Sequence, residues 1–155
     1  MIEPKAVDLP NYGVLECELD EEMVDYLWKL VHSYSPNVKW EGRRLIEFEN
    51  IKEKQFLLND DEHKFENEVL RPCVQTYFGT YGCPFKHKTT HLHEFAFSRF
   101  WCRASTDGDY QSIHDHQGIF TFVVWLSIPF EGKEEREVQA GFRPEASDFV
   151  LVYPD

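Results

Sequence analysis

Basic residues are scarce in this chain of 155 residues: 16 Lys and Arg stand against 28 Asp and Glu, a formal net charge of −12 at neutral pH. No basic run occurs. Binding to a phosphate backbone depends on clustered Lys and Arg that release counterions, so a nucleic-acid partner is disfavoured. Four cysteines, Cys17, Cys73, Cys83 and Cys102, include no Cys-x-x-Cys pair. That spacing is what a small zinc or dithiol redox motif needs, and the four therefore read as reduced thiols. Long apolar runs are also lacking. The longest, from Ile119 to Phe130, is interrupted by Thr121, Ser127 and Pro129 and falls well short of the ~20 residues that cross a bilayer. The start Met1-Ile2-Glu3-Pro4-Lys5 has no basic segment followed by an apolar one, so no secretory signal is expected. These absences point to a soluble protein, without membrane contact, in a cytoplasm.

What the chain has in quantity is aromatic surface. Phe, Tyr and Trp number 13, 7 and 4, or 15% of residues, far above what a disordered segment carries. A chain of this length buries about two thirds of the surface its unfolded form exposes, enough for one domain over residues 1–155 with its own core.

The hydrophobic period changes along the chain. Val14-Leu15-Glu16-Cys17-Glu18-Leu19 alternates as a strand does. Asp20 then has the chemistry of an N-cap, with Glu21 and Glu22 in the first helical turn, where the helix dipole favours negative charge. Met23, Val24, Leu27, Leu30, Val31 and Tyr34 form a stripe of period 3.6 that stops before Ser35-Pro36-Asn37, which predicts a helix. A short apolar run, Leu45-Ile46-Glu47-Phe48, follows a basic spot at Arg43-Arg44. A second helix is expected from about Asp60, with Phe65, Val69, Cys73 and Tyr77 on one face, Gly79 as its stop and a kink at Pro72, since proline removes a helical hydrogen bond.

From Thr90 the period becomes two. Phe95, Phe97 and Trp101 share a face of an expected strand from Leu92 to Ala104, and Ser105 to Asp109 turns the chain. Between Ile119 and Ile128, Phe120, Phe122, Val124, Leu126 and Ile128 make one face wholly apolar. After a charged loop from Glu131 to Glu137, the run Phe149 to Tyr153 reads as a last strand. The order of elements is that of an α+β protein, helices first and then an antiparallel β region.

The pattern richest in chemistry is His114-Asp115-His116, just before the most hydrophobic strand. Side chains at i and i+2 of a strand project to the same face, so two imidazoles can meet one cation while Asp115 faces away. Neutral imidazoles suit Fe, Zn, Cu or Ni, and two ligands on one strand plus a third from elsewhere make a site with open positions. By spacing alone a solvated or hydrogen-bonded pair is the commoner outcome. His91-Leu92-His93 repeats the spacing at what reads as an ordinary sheet edge. His87, between Lys86 and Lys88, reads as surface charge, and His32 and His63 as solvated helical residues.

Three stretches taken together resemble a known family: Phe100-Trp101-Cys102, then Tyr110 to Gly118 with the histidine pair, then Phe120 to Pro129. They are similar to the core of phage-encoded, prolyl 4-hydroxylase-like oxygenases dependent on Fe(II) and 2-oxoglutarate. Leu70-Arg71-Pro72-Cys73 with Tyr77 resembles the helix before the barrel of that family, and Ala146-Ser147-Asp148-Phe149 a later barrel strand. The resemblance covers roughly residues 60 to 155. It implies helical support over about 1–85, packed on an antiparallel double-stranded β-helix, or jelly roll, over about 90–155. It also implies Fe(II) at His114 and His116, 2-oxoglutarate as cosubstrate, hydroxylation of an unknown substrate, and residence in a host cytoplasm.

The chain departs from that family's pattern in three ways. Histidine stands at 116 where many relatives have aspartate, which leaves the identity of the metal more open. No histidine follows His116, and Arg136 and Arg143, the later arginines, precede the last strand. The distal ligand and the cosubstrate arginine of the family thus have no counterpart, and the jelly roll is expected to be incomplete at its C-terminal end. Within the resemblance, Tyr110 and Arg103 are the candidates for contacting the cosubstrate. A structural tyrosine and a sheet-edge salt bridge are the plainer readings of those two. The expectations divide between an oxygenase, or its N-terminal part, completed by a second chain or a homodimer, and a non-catalytic jelly-roll interaction module with a vestigial metal pair. An unpaired apolar strand edge favours a partner in either case.

Overall fold

The cap at Asp20 sets the first helix. In the computed structural model, which describes residues 4–7, 13–34, 38–42, 44–48, 55–82, 95–105, 114, 116 and 118–128, Asp20 Oδ1 accepts the Met23 amide at 2.9 Å. Helix α1 runs Glu21–Tyr34, and the capping bond satisfies one of the amides its first turn leaves open. Met23, Tyr26, Leu27, Trp28 and Val31 are its buried residues. Val24, Leu30 and Tyr34, which belong to the stripe seen in the sequence, are only half-buried. The buried arc is thus rotated toward Tyr26 and Trp28, because wide aromatic rings reach the core from positions where a shorter side chain would not.

The second helical segment starts at residue 64 and includes a π-helical turn, Glu66–Leu70, that leads into α2, Arg71–Tyr81. The Arg71 amide donates to the Glu66 carbonyl, five residues back. Pro72 follows at once. Proline has no amide to donate, and its ring crowds the carbonyl four residues earlier in an α-helical turn, so a widened turn lets the chain continue where a kink is expected. The helix passes Gly79 and stops at Gly82, whose φ of 76° is a left-handed conformation suited to glycine. The Gly82 amide closes the end on the Phe78 carbonyl at 3.0 Å.

The strands pair as three antiparallel two-stranded ladders among the described residues. The first joins β1, Lys5–Val7, to β2, Val14–Glu16, with Ala6 opposite Leu15. The second joins β3, Val38–Glu41, to β4, Arg44–Phe48, with a register shift between Lys39 and Trp40. The third joins β5, Gln55–Leu57, to β6, Trp101–Arg103, with Phe56 opposite Cys102. The protein is a mixed helix and strand structure, and no barrel closes among the described residues. Packing divides the chain into two units, Met1–Ile113 and His114–Asp155.

The core of the first unit gathers around Phe65, which is fully buried. Its ring stacks on Phe100, with centroids 5.2 Å apart and planes 12° from parallel, and Phe97 lies 5.4 Å from Phe100. Leu58, Val69 and Ala104 complete this side. The expected strand from Leu92 to Ala104 is hydrogen-bonded here only over β6; residues 91–94 lie outside the described residues. Its period also slips. Phe95 and Phe97 are half-buried, Ser98 and Arg99 are both exposed, and from there Phe100, Cys102 and Ala104 point inward while Trp101 and Arg103 point out. Trp101 therefore does not share the face of Phe95 and Phe97, because the chain drops one step of alternation to bring Phe100 onto Phe65.

One carboxylate connects the helices. Asp60, itself buried, accepts the Tyr26 hydroxyl at 2.6 Å, the Glu66 amide at 2.8 Å and the Phe65 amide at 3.3 Å. It thereby caps the second helical segment and holds α1 to it. Lys64 adds an ion pair to Glu22 at 2.6 Å across the same seam. Replacing Asp60 by Ala leaves a buried hydroxyl and two amides without their acceptor. The expected loss is about 3 to 5 kcal/mol in urea unfolding, and a loss under 1 kcal/mol would refute this account.

Burial, and then the hydrogen bond and charge of Asp60, raise the Tyr26 pKa above its ordinary value of 10.0. A proton held more tightly in the fold stabilises it fully below the unfolded value and less as pH climbs toward the folded one. Stability therefore falls as pH rises above about 10. Tyr26→Phe is less stable at pH 7 by about 1 to 3 kcal/mol and loses less than the parent chain between pH 9 and pH 11, read by urea midpoints across about that range.

Candidate functional site

His114 and His116 open the second unit, ahead of the run 118–128. Both are exposed, and their rings approach to 4.8 Å between centroids with planes tilted by 42°. Gly118 follows with φ of 131°, a conformation that side-chain-bearing residues rarely adopt. From there period two is clear. Phe120, Phe122, Val124 and Leu126 are half-buried, and Ile119, Thr121, Val123, Trp125 and Ser127 are exposed. Ile128, expected on the inner face, is 57% exposed, because the alternation lapses after Leu126.

A 4.8 Å ring spacing has a definite meaning for coordination. A metal–imidazole bond of about 2.1 Å puts each ring centre about 3.2 Å from the metal, so two ligands at about 90 to 110° hold their centres about 4.6 to 5.3 Å apart. The centroid distance of the pair falls within that range, as it also does within that of an ordinary ring–ring contact. Among the described residues no group of three or more His, Cys, Asp and Glu is placed to hold a metal. The pair by itself is therefore two donors short of a closed tetrahedral site and one short of a facial triad.

The remaining sequence candidates are distributed as follows. Arg103 ends β6 in the first unit, opposite Gln55, and its side chain is exposed, as are those of Arg99 and Trp101. Tyr110, Asp115, His87, His91 and His93 lie outside the described residues. His32 is exposed as expected, and its Nε2 donates to the Gly42 carbonyl at 3.1 Å, tying α1 to the turn between β3 and β4.

His63 does not sit within the helix. It precedes it with φ of 52°, a conformation that costs energy for a residue with a Cβ. Its Nδ1 donates to Glu66 Oε2 at 3.0 Å, and Arg71 donates to the other oxygen, Oε1, at 2.6 Å. These side chains, with Asn67, Phe95 and Phe97, line an open cleft of about 420 Å³. The spacing His63-x-x-Glu66 is visible in the sequence, whereas Arg71 reaches the same carboxylate because the π turn brings residues five apart together. A carboxylate that orients an imidazole is also the arrangement of general-base catalysis. Here both oxygens are engaged by side chains of the segment that carries Glu66, so the cluster braces the π turn and compensates a buried charge.

No protein-family profile, no curated protein and no solved structure matches this chain.

Arg71→Met removes one of the two donors to Glu66 and is expected to destabilise the chain by about 1 to 2 kcal/mol. Adding Glu66→Gln should cost less than it does in the parent chain. A double-mutant cycle in urea that shows full additivity would dismiss the brace.

Proposed function

We propose that this chain binds Fe(II) through His114 and His116 and serves as a 2-oxoglutarate-dependent oxygenase, or as the metal-bearing part of one. The observation that carries this reading is the 4.8 Å separation of the two exposed imidazoles, which suits neighbouring positions on one cation. The resemblance of Phe100 to Pro129 to prolyl 4-hydroxylase-like oxygenases supplies the choice of metal and cosubstrate. In this reading the strand-like run 119–128 belongs to a double-stranded β-helix.

His114 and His116 act as neutral nitrogen donors to the metal. The third donor, and the cation that pairs with the far carboxylate of 2-oxoglutarate, come from outside the described residues, and a second polypeptide or a second copy is the proposed source. When bound, the iron supplies dioxygen-dependent hydroxylation coupled to decarboxylation of 2-oxoglutarate.

Anaerobic Fe(II) titration of the full chain, followed by an assay of 2-oxoglutarate conversion to succinate, tests both parts. One iron per chain is expected. In His116→Ala the affinity is expected to fall at least about tenfold with an unchanged far-ultraviolet circular dichroism spectrum, since the side chain is exposed. Equal affinity in the variant overturns the metal site. Binding without succinate formation, with or without a supplied partner, overturns the oxygenase and leaves a metal-binding interaction module.

A further inference from the structure

The sulfurs of Cys17 and Cys73 lie 3.8 Å apart, although 56 residues separate them in the chain. Cys17 follows β2, and Cys73 is the third residue of α2. Both thiols are free and half-buried. The surrounding packing makes the meeting reproducible. The ring of Tyr81, one end of α2, occupies the space where a Cβ on Gly13 would stand, so the strand that leads to Cys17 runs directly against the helix that bears Cys73. A disulfide has an S–S bond of about 2.05 Å, so the sulfurs need approach by only about 1.8 Å.

We propose that Cys17 and Cys73 form a reversible oxidation site, at which a peroxide closes a disulfide between the β1–β2 hairpin and α2. The balance is that of two thiols and one peroxide giving one disulfide and two waters. The Cys17 sulfur attacks a peroxide oxygen, the O–O bond breaks, and the sulfur becomes a sulfenic acid as the first water leaves. The Cys73 sulfur then displaces the sulfenic hydroxyl, which departs as the second water with the Cys73 proton. Each sulfur loses one electron to the peroxide. Burial, and then the neighbouring Cys17 sulfur, push the Cys73 thiol up to about 12, which makes closure slow at neutral pH. Cys102, at the centre of β6, has its thiol pushed up to about 11 by burial and has no part in the pair.

The full chain is treated with hydrogen peroxide after complete reduction, and its chymotryptic peptides, cut at Tyr77, Phe78 and Tyr81 so that Cys73 is separated from Cys83, are mapped without reductant. A cross-link between the peptides of Cys17 and Cys73 is expected, with a mass loss of about 2 Da that dithiothreitol reverses. Because the bond closes a long loop, the melting midpoint should rise by about 5 to 10 °C on oxidation. C102S should keep the cross-link, and C17S and C73S should lose it together with the rise. Over-oxidation of Cys17 without a cross-link, a cross-link to a different cysteine, or no thiol loss in a chain whose circular dichroism is native would each overturn the proposal. The mapping uses the parent chain, so a variant that fails to fold does not decide the outcome.

Discussion

A single carboxylate organises the first unit. Asp60 receives the Tyr26 hydroxyl from α1 and the Glu66 and Phe65 amides from the helix it precedes. A buried charge without partners is costly, and one that closes three hydrogen bonds offsets that cost through its own acceptors. The consequence is geometric as much as energetic. With the helix start fixed by Asp60, Phe65 is directed into the core, where it is fully buried and stacked on Phe100. The slip in alternation between Phe97 and Phe100 follows from that stacking. β6 then pairs with β5 in the register that the slip allows, and the Leu58 amide closes on the Phe100 carbonyl at 2.9 Å.

Two polar constellations of different character result. The Glu66 group answers to the fold, since His63 and Arg71 engage the two oxygens of a carboxylate that the Asp60-anchored turn has carried inside. The histidine pair of the second unit is exposed, with ring centroids 4.8 Å apart. The proposed activity rests on that pair. The thiol pair differs again: its two sulfurs meet only because the N-terminal hairpin lies along α2.

The local parts of this architecture were legible in the residues. The cap at Asp20, the acidic first turn and the apolar stripe predict α1 to within a residue, and the positions from Phe120 to Leu126 keep the alternation that their order implies. The second helix was legible in outline, but Gly79 looked like its end. A glycine stops a helix only if nothing beyond it has reason to stay helical, and the packing of Tyr81 on Tyr77, at 4.9 Å, and against Gly13 is such a reason.

Periodicity and capping are decided by neighbours within about four residues, and the sequence by itself determined much of them: two helices in outline, the cap at Asp20 and the alternating run. The tertiary structure alone decided what partners far along the chain impose. Asp60 finds Tyr26 34 residues away, Cys73 finds Cys17 56 away, and Phe100 turns inward against the parity of Phe95 and Phe97. Each of these is a competition among side chains for one buried volume, and no local pattern records which of them prevails.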